Sequence, residues 1–226
     1  MISEADLTAL WITLKLAVVS TLLLLLICAP LAWWLAHTHS RAKVLVEALV
    51  ALPLVLPPTV MGFYLLVLLG PQGALGGFLE SVGMDHLAFS FSGLVVGSML
   101  FSLPFVVQPL QNAFTTAGGR VLEVAATLRA SPLDRFFSVV LPLSRRGFLT
   151  ASVLSFAHTL GEFGMILMIG GNIPGRTQVA SIAIYDHVEA MDYSAAHQLS
   201  LILVLASFAL LLAVFALNRR FKVVSL

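Results

Sequence analysis

Charge is what this sequence most lacks beside a soluble protein. Only 10% of its 226 residues are Asp, Glu, Lys or Arg, against about 25% in a soluble domain. Hydrophobic residues make up 59%, and the mean hydropathy is +1.02. So few charges cannot coat a water-exposed surface, which makes the chain an integral membrane protein. Cysteine is nearly missing as well. Cys28 stands alone in an apolar run, which excludes a disulfide or a cysteine metal cluster within one chain. There is no G-x-x-x-x-G-K-[ST], so ATP is not bound through a P-loop. A zinc signature, a G-x-S-x-G and a candidate triad are also lacking, and nothing points to an enzyme. The net charge is +1, with the basic residues dispersed. No basic stripe is interleaved with aromatics, so nucleic acid is not an expected partner. The first residues, MISEADL, are acidic where a cleaved leader would be basic, so a retained first span is expected.

Long apolar runs are what the chain has instead. Spans are expected at about 9–36, 45–70, 88–114, 147–170 and 196–217, each close to the ~20 residues that cross a bilayer. Together they form one domain, 1–226, with a non-spanning segment at 120–142. Lys15 lies near one end of the first run, where it can snorkel. A shorter stretch, 179–190, holds Asp186, His187 and Glu189 and is expected to be interfacial or re-entrant. With five spans, Arg41, Lys43, Arg120, Arg129, Arg135, Arg145, Arg146, Arg219, Arg220 and Lys222 fall on one side. The other side holds Glu4, Asp6, Glu80, Asp85, Asp186, Glu189 and Asp192, with Arg176 as its clear cation. The positive-inside rule then places the N-terminus outside and the C-terminus inside.

Three stretches carry more than hydropathy. The segment RVLEVAATLRASPLDRFFSVVLP, 120–142, is expected to form two short helices with a corner between them. The first should stop near Ala130, before a proline. Ser131, Pro132 and Asp134 then stand as N-cap, first helical residue and third residue of a second helix running through Phe136 and Phe137. Such a segment either lies on the membrane surface or is a rigid elbow that docks into another protein. Ala125, Ala126 and Ala130 would let a partner approach closely.

The second run carries Pro53, Pro57 and Pro58, each of which removes a backbone donor. It is either a kinked packing helix or a discontinuous helix lining a path, since broken backbone at membrane depth needs protein or water to cover it. In the fourth run, His158 and Glu162 are four apart and are expected to share a helix face. Ionisable groups in a span usually mark function, although a structural His–Glu pair is the alternative. Gly161 and Gly164 beside them permit close helix approach. Two such ligands on one helix do not make a metal site.

These residues resemble a known family. Glu123, Val124, Ala125 and Arg129, closed by Leu141 and Pro142, stand where the cytoplasmic loop of ABC importer permeases has its E-A-A and glycine pattern; here valine and arginine replace an alanine and the glycine. ALPLVLPPTVMGFYLLVLLG and LGEFGMILMIGGNIPGRTQ are similar to the permease subunits of molybdate importers. That family usually has arginine at the position of His158 and often an acid at that of Arg176. The resemblance implies an all-α, type I importer permease fold: five transmembrane helices, N-out and C-in, with a cytoplasmic coupling elbow in the inner membrane. It implies a homodimer surrounded by lipid, two ABC ATPase subunits that bind the ATP and Mg, an external oxyanion-binding protein, and no cofactor in this chain. Glu123, Ala125, Ala126, Arg129 and Ala130 would couple to the ATPase. Pro57, Pro58, Thr59, His158, Gly161, Glu162 and Gly164 would form the path or gate, and Asn172, Gly175 and Arg176 the outer mouth. Tungstate and sulfate or thiosulfate are the neighbouring substrates. The rival class is an ion-coupled secondary transporter with His158 and Glu162 as its relay; such proteins usually show internal repeats, and none is seen.

Overall fold

The computed structural model describes residues 2–117, 125, 127 and 131–220, and every element among them is a helix. In chain order these are α1 (Glu4–His37), α2 (Ala42–Ala51), α3 (Pro58–Leu69), α4 (Ala74–Ser81), α5 (Phe91–Ala117), α6 (Pro132–Arg135), α7 (Leu141–Leu143), α8 (Arg145–Leu160), α9 (Gly164–Gly170), α10 (Ala180–Glu189) and α11 (Tyr193–Arg220). A 3₁₀ turn (Leu52–Leu54) follows α2, and a π-helical turn (Phe136–Val140) joins α6 to α7. Of the expected coupling residues, Glu123, Ala126, Arg129 and Ala130 lie outside the described residues. Ala125 is helical and buried.

Four stretches are long and apolar enough to cross a membrane: α1, the α3–α4 unit Pro58–Ser81, α5, and Tyr193–Ala213 of α11. The pair α8 and α9, bent by 66°, makes a fifth if taken as one span. α1 opens with a capping box in which the Ser3 hydroxyl accepts the Asp6 N–H and the Asp6 carboxylate accepts the Ser3 N–H. Its buried residues Ile12, Leu16, Ser20, Leu24, Cys28, Ala32 and Leu35 recur every three or four positions, which is one helix face. That face receives α5 and α8, while Trp11, Leu22 and Leu26 face outward.

The bundle core has two main halves. At one end Leu16, Leu65, Leu69, Leu94, Met165, Ile166 and Ile169 pack together. At the other, Leu24, Cys28, Leu35, Val107, Leu110, Phe114, Val140 and Ala151 do so. The second half is tied by aromatic edges: Trp33 meets Phe114 at 5.3 Å and Phe136 at 5.6 Å, and Phe114 meets Phe148 at 5.9 Å. Phe136 therefore anchors the end of the elbow to the bundle. The helix expected to open at Ser131 is present, with the Ser131 hydroxyl accepting the Asp134 N–H at 3.2 Å.

The run expected over 45–70 is divided. α2 ends at Ala51, the 3₁₀ turn holds Pro53, and α3 starts at Pro58. Pro57 holds ψ at 138°, outside the helical region, as the residue before a proline prefers. At ~1.5 Å per residue neither half alone crosses a ~30 Å hydrocarbon layer. The 179–190 stretch is helical over Ala180–Glu189 and packs against α1 and α11. Its first N–H is taken by a distant group: the Thr13 hydroxyl of α1 accepts from Ala180 at 2.8 Å.

Candidate functional site

The break in the fourth run begins where two glycines bracket an acid. α8 stops at Leu160. The N–H of Gly161 then reaches His158 O at 3.2 Å, and that of Glu162 reaches Thr159 O at 3.4 Å. This tightening ends the 3.6-residue repeat. His158 and Glu162 therefore do not share a helix face, and the expected His–Glu pair is not formed. Each residue is held by α5 instead. The Glu162 Oε2 accepts from the Ser98 hydroxyl at 3.1 Å, and His158 Nδ1 lies 2.9 Å from the Ser102 hydroxyl. Ser98 and Ser102 are themselves one turn apart, so α5 offers two rungs to the two residues.

Glu162 is buried, and its Oε1 has no hydrogen-bond partner among the described residues. Its backbone carbonyl is taken by the Ser181 hydroxyl of α10 at 2.6 Å. The His158 ring lies between Phe101 and Phe105, at 4.8 and 4.3 Å. One residue in the break thus touches α5 and α10, and its neighbour one turn back is clamped by aromatics on α5.

The two breaks meet. A Cβ built on Gly164 would stand 3.5 Å from Pro58 Cβ and 3.6 Å from Thr59 Cγ2. Pro57, Pro58 and Thr59 are themselves exposed, so they edge this junction without being enclosed by the single chain. Gly161 and Gly164 were expected to allow the close helix approach, but a Cβ on either would meet its neighbours only at ordinary contact distances. The close approach is at Gly62, where a Cβ would fall 2.7 Å from Met168 Cβ and 3.1 Å from Met165 Cα. The α3–α9 contact depends on that missing side chain.

The loop after α9 carries the expected outer-mouth residues. Gly171 and Gly175 have φ of +62° and +74°, which suits glycine. Asn172 and Gln178 both donate to Asp186 Oδ2 of α10, at 2.7 and 2.9 Å. Arg176 is exposed nearby, with no ion pair among the described residues. Several carboxylates on the same side have partners: His187 Nε2 meets Asp6 at 2.8 Å and His86 Nδ1 meets Glu80 at 2.9 Å. A hydrogen bond to Glu189, together with its charge, raises the Tyr185 phenol above its usual range. Local charge there is negative apart from Arg176. Among the described residues no group of three His, Cys, Asp or Glu side chains gathers to hold a metal ion.

Residues 28–223 match the family described as binding-protein-dependent transport system inner membrane component. The chain belongs to that family. As one of its permeases it is a multi-pass inner-membrane transport subunit and not itself an enzyme. It is 58% identical over 221 residues to the molybdenum transport system permease protein ModB of Azotobacter vinelandii, covering 98% of this chain and 97% of that one. With the protein of the same name from Mycobacterium tuberculosis it shares 40% identity over 92% of this chain and 78% of that one. The sulfate transport system permease protein CysT of Salmonella typhimurium is more distant, at 34% over 84% of this chain and 69% of that one. The fold matches a bacterial ABC transporter for import of the acidic polysaccharide alginate, with a TM-score of 0.80 and 19% identity over 98% of this chain and 81% of that one.

Ser98, Ser102, Ser181, Gln178 and Asp186 were not singled out as site residues from the sequence. The two serines on α5 had a legible signal in their four-residue spacing within an uncharged run.

Proposed function

We propose that this permease carries molybdate into the cell as the membrane subunit of an ATP-driven importer. The observation that carries the substrate is the near full-length similarity to permeases named for molybdenum transport, beside a weaker one to permeases named for sulfate. The working unit is two copies of the chain, held in lipid. Two cytoplasmic ATPase subunits bind ATP and Mg and seat on the elbow through Glu123, Ala125, Ala126, Arg129 and Ala130. An external oxyanion-binding protein delivers the dianion to the mouth formed by Asn172, Gly175 and Arg176. The N-terminus is outside and the elbow inside.

Closure of the ATPases moves both elbows and rocks the spans about the two-fold axis. The junction of Pro57–Thr59 with Gly161–Gly164 is the gate, because it is where two helices already lack continuous hydrogen bonding. A free carboxylate in the path would repel the anion, and the bond from Ser98 holds Glu162 into the protein. His158 and Glu162 are gate parts, not a proton relay. Tight selectivity resides in the binding protein, since tight binding in the permease would slow release.

The test is reconstitution in vesicles with its ATPase and binding protein, measuring uptake of labelled molybdate, tungstate and sulfate. ATP-dependent molybdate uptake, with tungstate close behind, is expected. Good sulfate uptake without molybdate uptake refutes the substrate.

A further inference from the structure

α1 buries one face in the bundle and turns Leu22 and Leu26 outward. That outer side is not a smooth ridge. Between α1, the π-turn, α7 and α8 runs a groove of about 570 Å³, bounded by Leu22, Leu26, Ala29, Trp33, Phe137 and Leu141. A second hollow of about 260 Å³, between α1, α8 and α11, shares Leu22 and Leu25 with it and continues to Val18. The π-turn shapes the end wall. Its bond from the Leu141 N–H to Phe136 O brings these two lining residues to the same side. Among the described residues no charged side chain lines either stretch. The two hydroxyls present are already bonded: Thr21 donates to Ser155 Oγ at 3.4 Å, and Ser152 to Phe148 O at 2.7 Å.

The α1 wall of the groove belongs to a membrane-crossing helix, so what fills it is apolar: a hydrocarbon chain or another helix. Size decides between them. From Leu22 to Trp33, α1 rises about 16 Å at ~1.5 Å per residue. Spread over that length, about 570 Å³ leaves a section of roughly 35 Å². A helix with its side chains is about 10–12 Å across, a section of roughly 80–110 Å². The groove takes an extended hydrocarbon chain and not a helix. Its length also matches one leaflet, which is half of a ~30 Å hydrocarbon layer. The Trp33 end carries the marks of a membrane boundary. The Trp33 ring stacks at 4.0 Å on the exposed His37, and Arg41 and Lys43 follow. Tryptophan gathers at bilayer interfaces, and basic residues on the cytoplasmic side.

We propose that this groove is a phospholipid site, in which one acyl chain of the cytoplasmic leaflet enters beside Trp33 and lies along α1 to Leu22. The headgroup stays at the Trp33–His37 end. The chain fills the space between α1 and the end of the elbow, so the seat of the elbow on the bundle includes lipid. The choice of leaflet rests on the orientation in the import reading above, and the site itself does not.

The full transporter is placed in nanodiscs of phosphatidylcholine and phosphatidylglycerol. A trace of phosphatidylcholine carries a diazirine either near the headgroup or at the chain end, and cross-linked peptides are mapped by mass spectrometry. The reference is Val204, Leu205 and Phe208 on α11, which are about as exposed as Leu22 but line neither stretch. Labelling of the groove should exceed that of α11 several-fold. The headgroup probe should mark the Trp33 end and the chain-end probe the Leu22 end. Ala29→Trp fills the groove with a side chain and should cut groove labelling several-fold while leaving α11 labelled. Leu26→Trp, at the exposed lip, makes the same test if the first variant fails to assemble. Labelling no stronger than on α11, or undiminished by the tryptophan, means ordinary lipid contact and overturns the site. An unlabelled groove beside a labelled α11 means that protein covers it, and overturns it too. The two probes marking opposite ends from those expected refutes the leaflet. No substrate or ATP is needed, so a failed uptake assay leaves the site standing.

Discussion

Gly62→Ala should loosen the gate more than its single methyl suggests. The added Cβ would sit 2.7 Å from Met168 Cβ, 3.1 Å from Met165 Cα and 3.2 Å from Met165 O. Two of these atoms are backbone of α9, so no rotamer change relieves them. α3 and α9 must separate by a few tenths of an ångström or more, and overpacking of this kind costs about 1–3 kcal/mol. Gly161→Ala is the control. Its Cβ would meet nothing closer than 3.9 Å, and its φ of −92° is open to alanine. It should be neutral or stabilise by up to ~1 kcal/mol through the unfolded chain. The assay is the fraction of purified transporter that stays monodisperse in detergent after stepped heating, alongside ATP-driven uptake. Met168→Gly removes the 2.7 Å contact but not the two to Met165. In a double-mutant cycle, Gly62→Ala should therefore cost less in the Met168→Gly background, yet not nothing. If Gly161→Ala lowers the heating midpoint as far as Gly62→Ala does, the α3–α9 contact is not what holds the break.

Other outcomes follow from the same geometry. Cysteines at Asp85 and Ser131 should label from opposite sides of the membrane; labelling of both from one side refutes the orientation. Glu123→Arg should strip the permease from its ATPase, since losing a buried charged partner costs ~2–5 kcal/mol; undiminished co-purification and unchanged substrate-stimulated hydrolysis would exclude a docking role. Glu162→Gln keeps an acceptor for Ser98, so uptake should slow without becoming dependent on a proton gradient; collapse on adding a protonophore while ATP stays high would favour an ion-coupled mechanism. Asp186→Asn keeps an oxygen for Asn172 and Gln178, whereas Asp186→Ala loses both bonds. The alanine variant should raise the binding-protein concentration needed for half-maximal uptake, and an equal rise in the asparagine variant would show that charge, not loop position, is what matters.

The apolar runs were legible because a membrane asks for one thing over ~20 residues. The Ser131 cap was legible because its partner, the Asp134 N–H, is three residues away. The three prolines of the second run left a kinked helix and a broken one both open; the fold takes the break, with α2 ending at Ala51. The His158–Glu162 pair failed for the complementary reason. A four-residue spacing implies contact only while the helix continues, and Gly161 and Gly164 flank the point where it stops. The bonds each residue actually makes, to Ser102 and Ser98, run between helices. Nothing local in either stretch names the other.

α9 shows how far that limit reaches. By hydropathy, GMILMIG simply continues the span before it. In the fold it is a separate seven-residue helix turned 66° from α8, too short to be stable alone. Its ends survive because distant residues satisfy them. The Ser181 hydroxyl takes the carbonyl of Glu162 just before it, the Thr177 hydroxyl takes that of Gly170 at 2.7 Å, and the N–H of Phe89 takes that of Ile169 at 2.9 Å. Phe89 accepts a φ of +60° to do so, a strained value for a large side chain. Unmet carbonyls in this setting are costly, so the bend needs all three partners at once. The loop that carries Arg176 also carries Thr177. If that loop is the outer mouth, a displacement of it would reach the far end of α9 first, and through α9 the junction with Pro58 and Thr59. On the reading proposed above, contact at the mouth and movement of the gate would be coupled through α9, whose Gly170 carbonyl is held by the mouth loop at one end and whose other end meets Pro58 and Thr59.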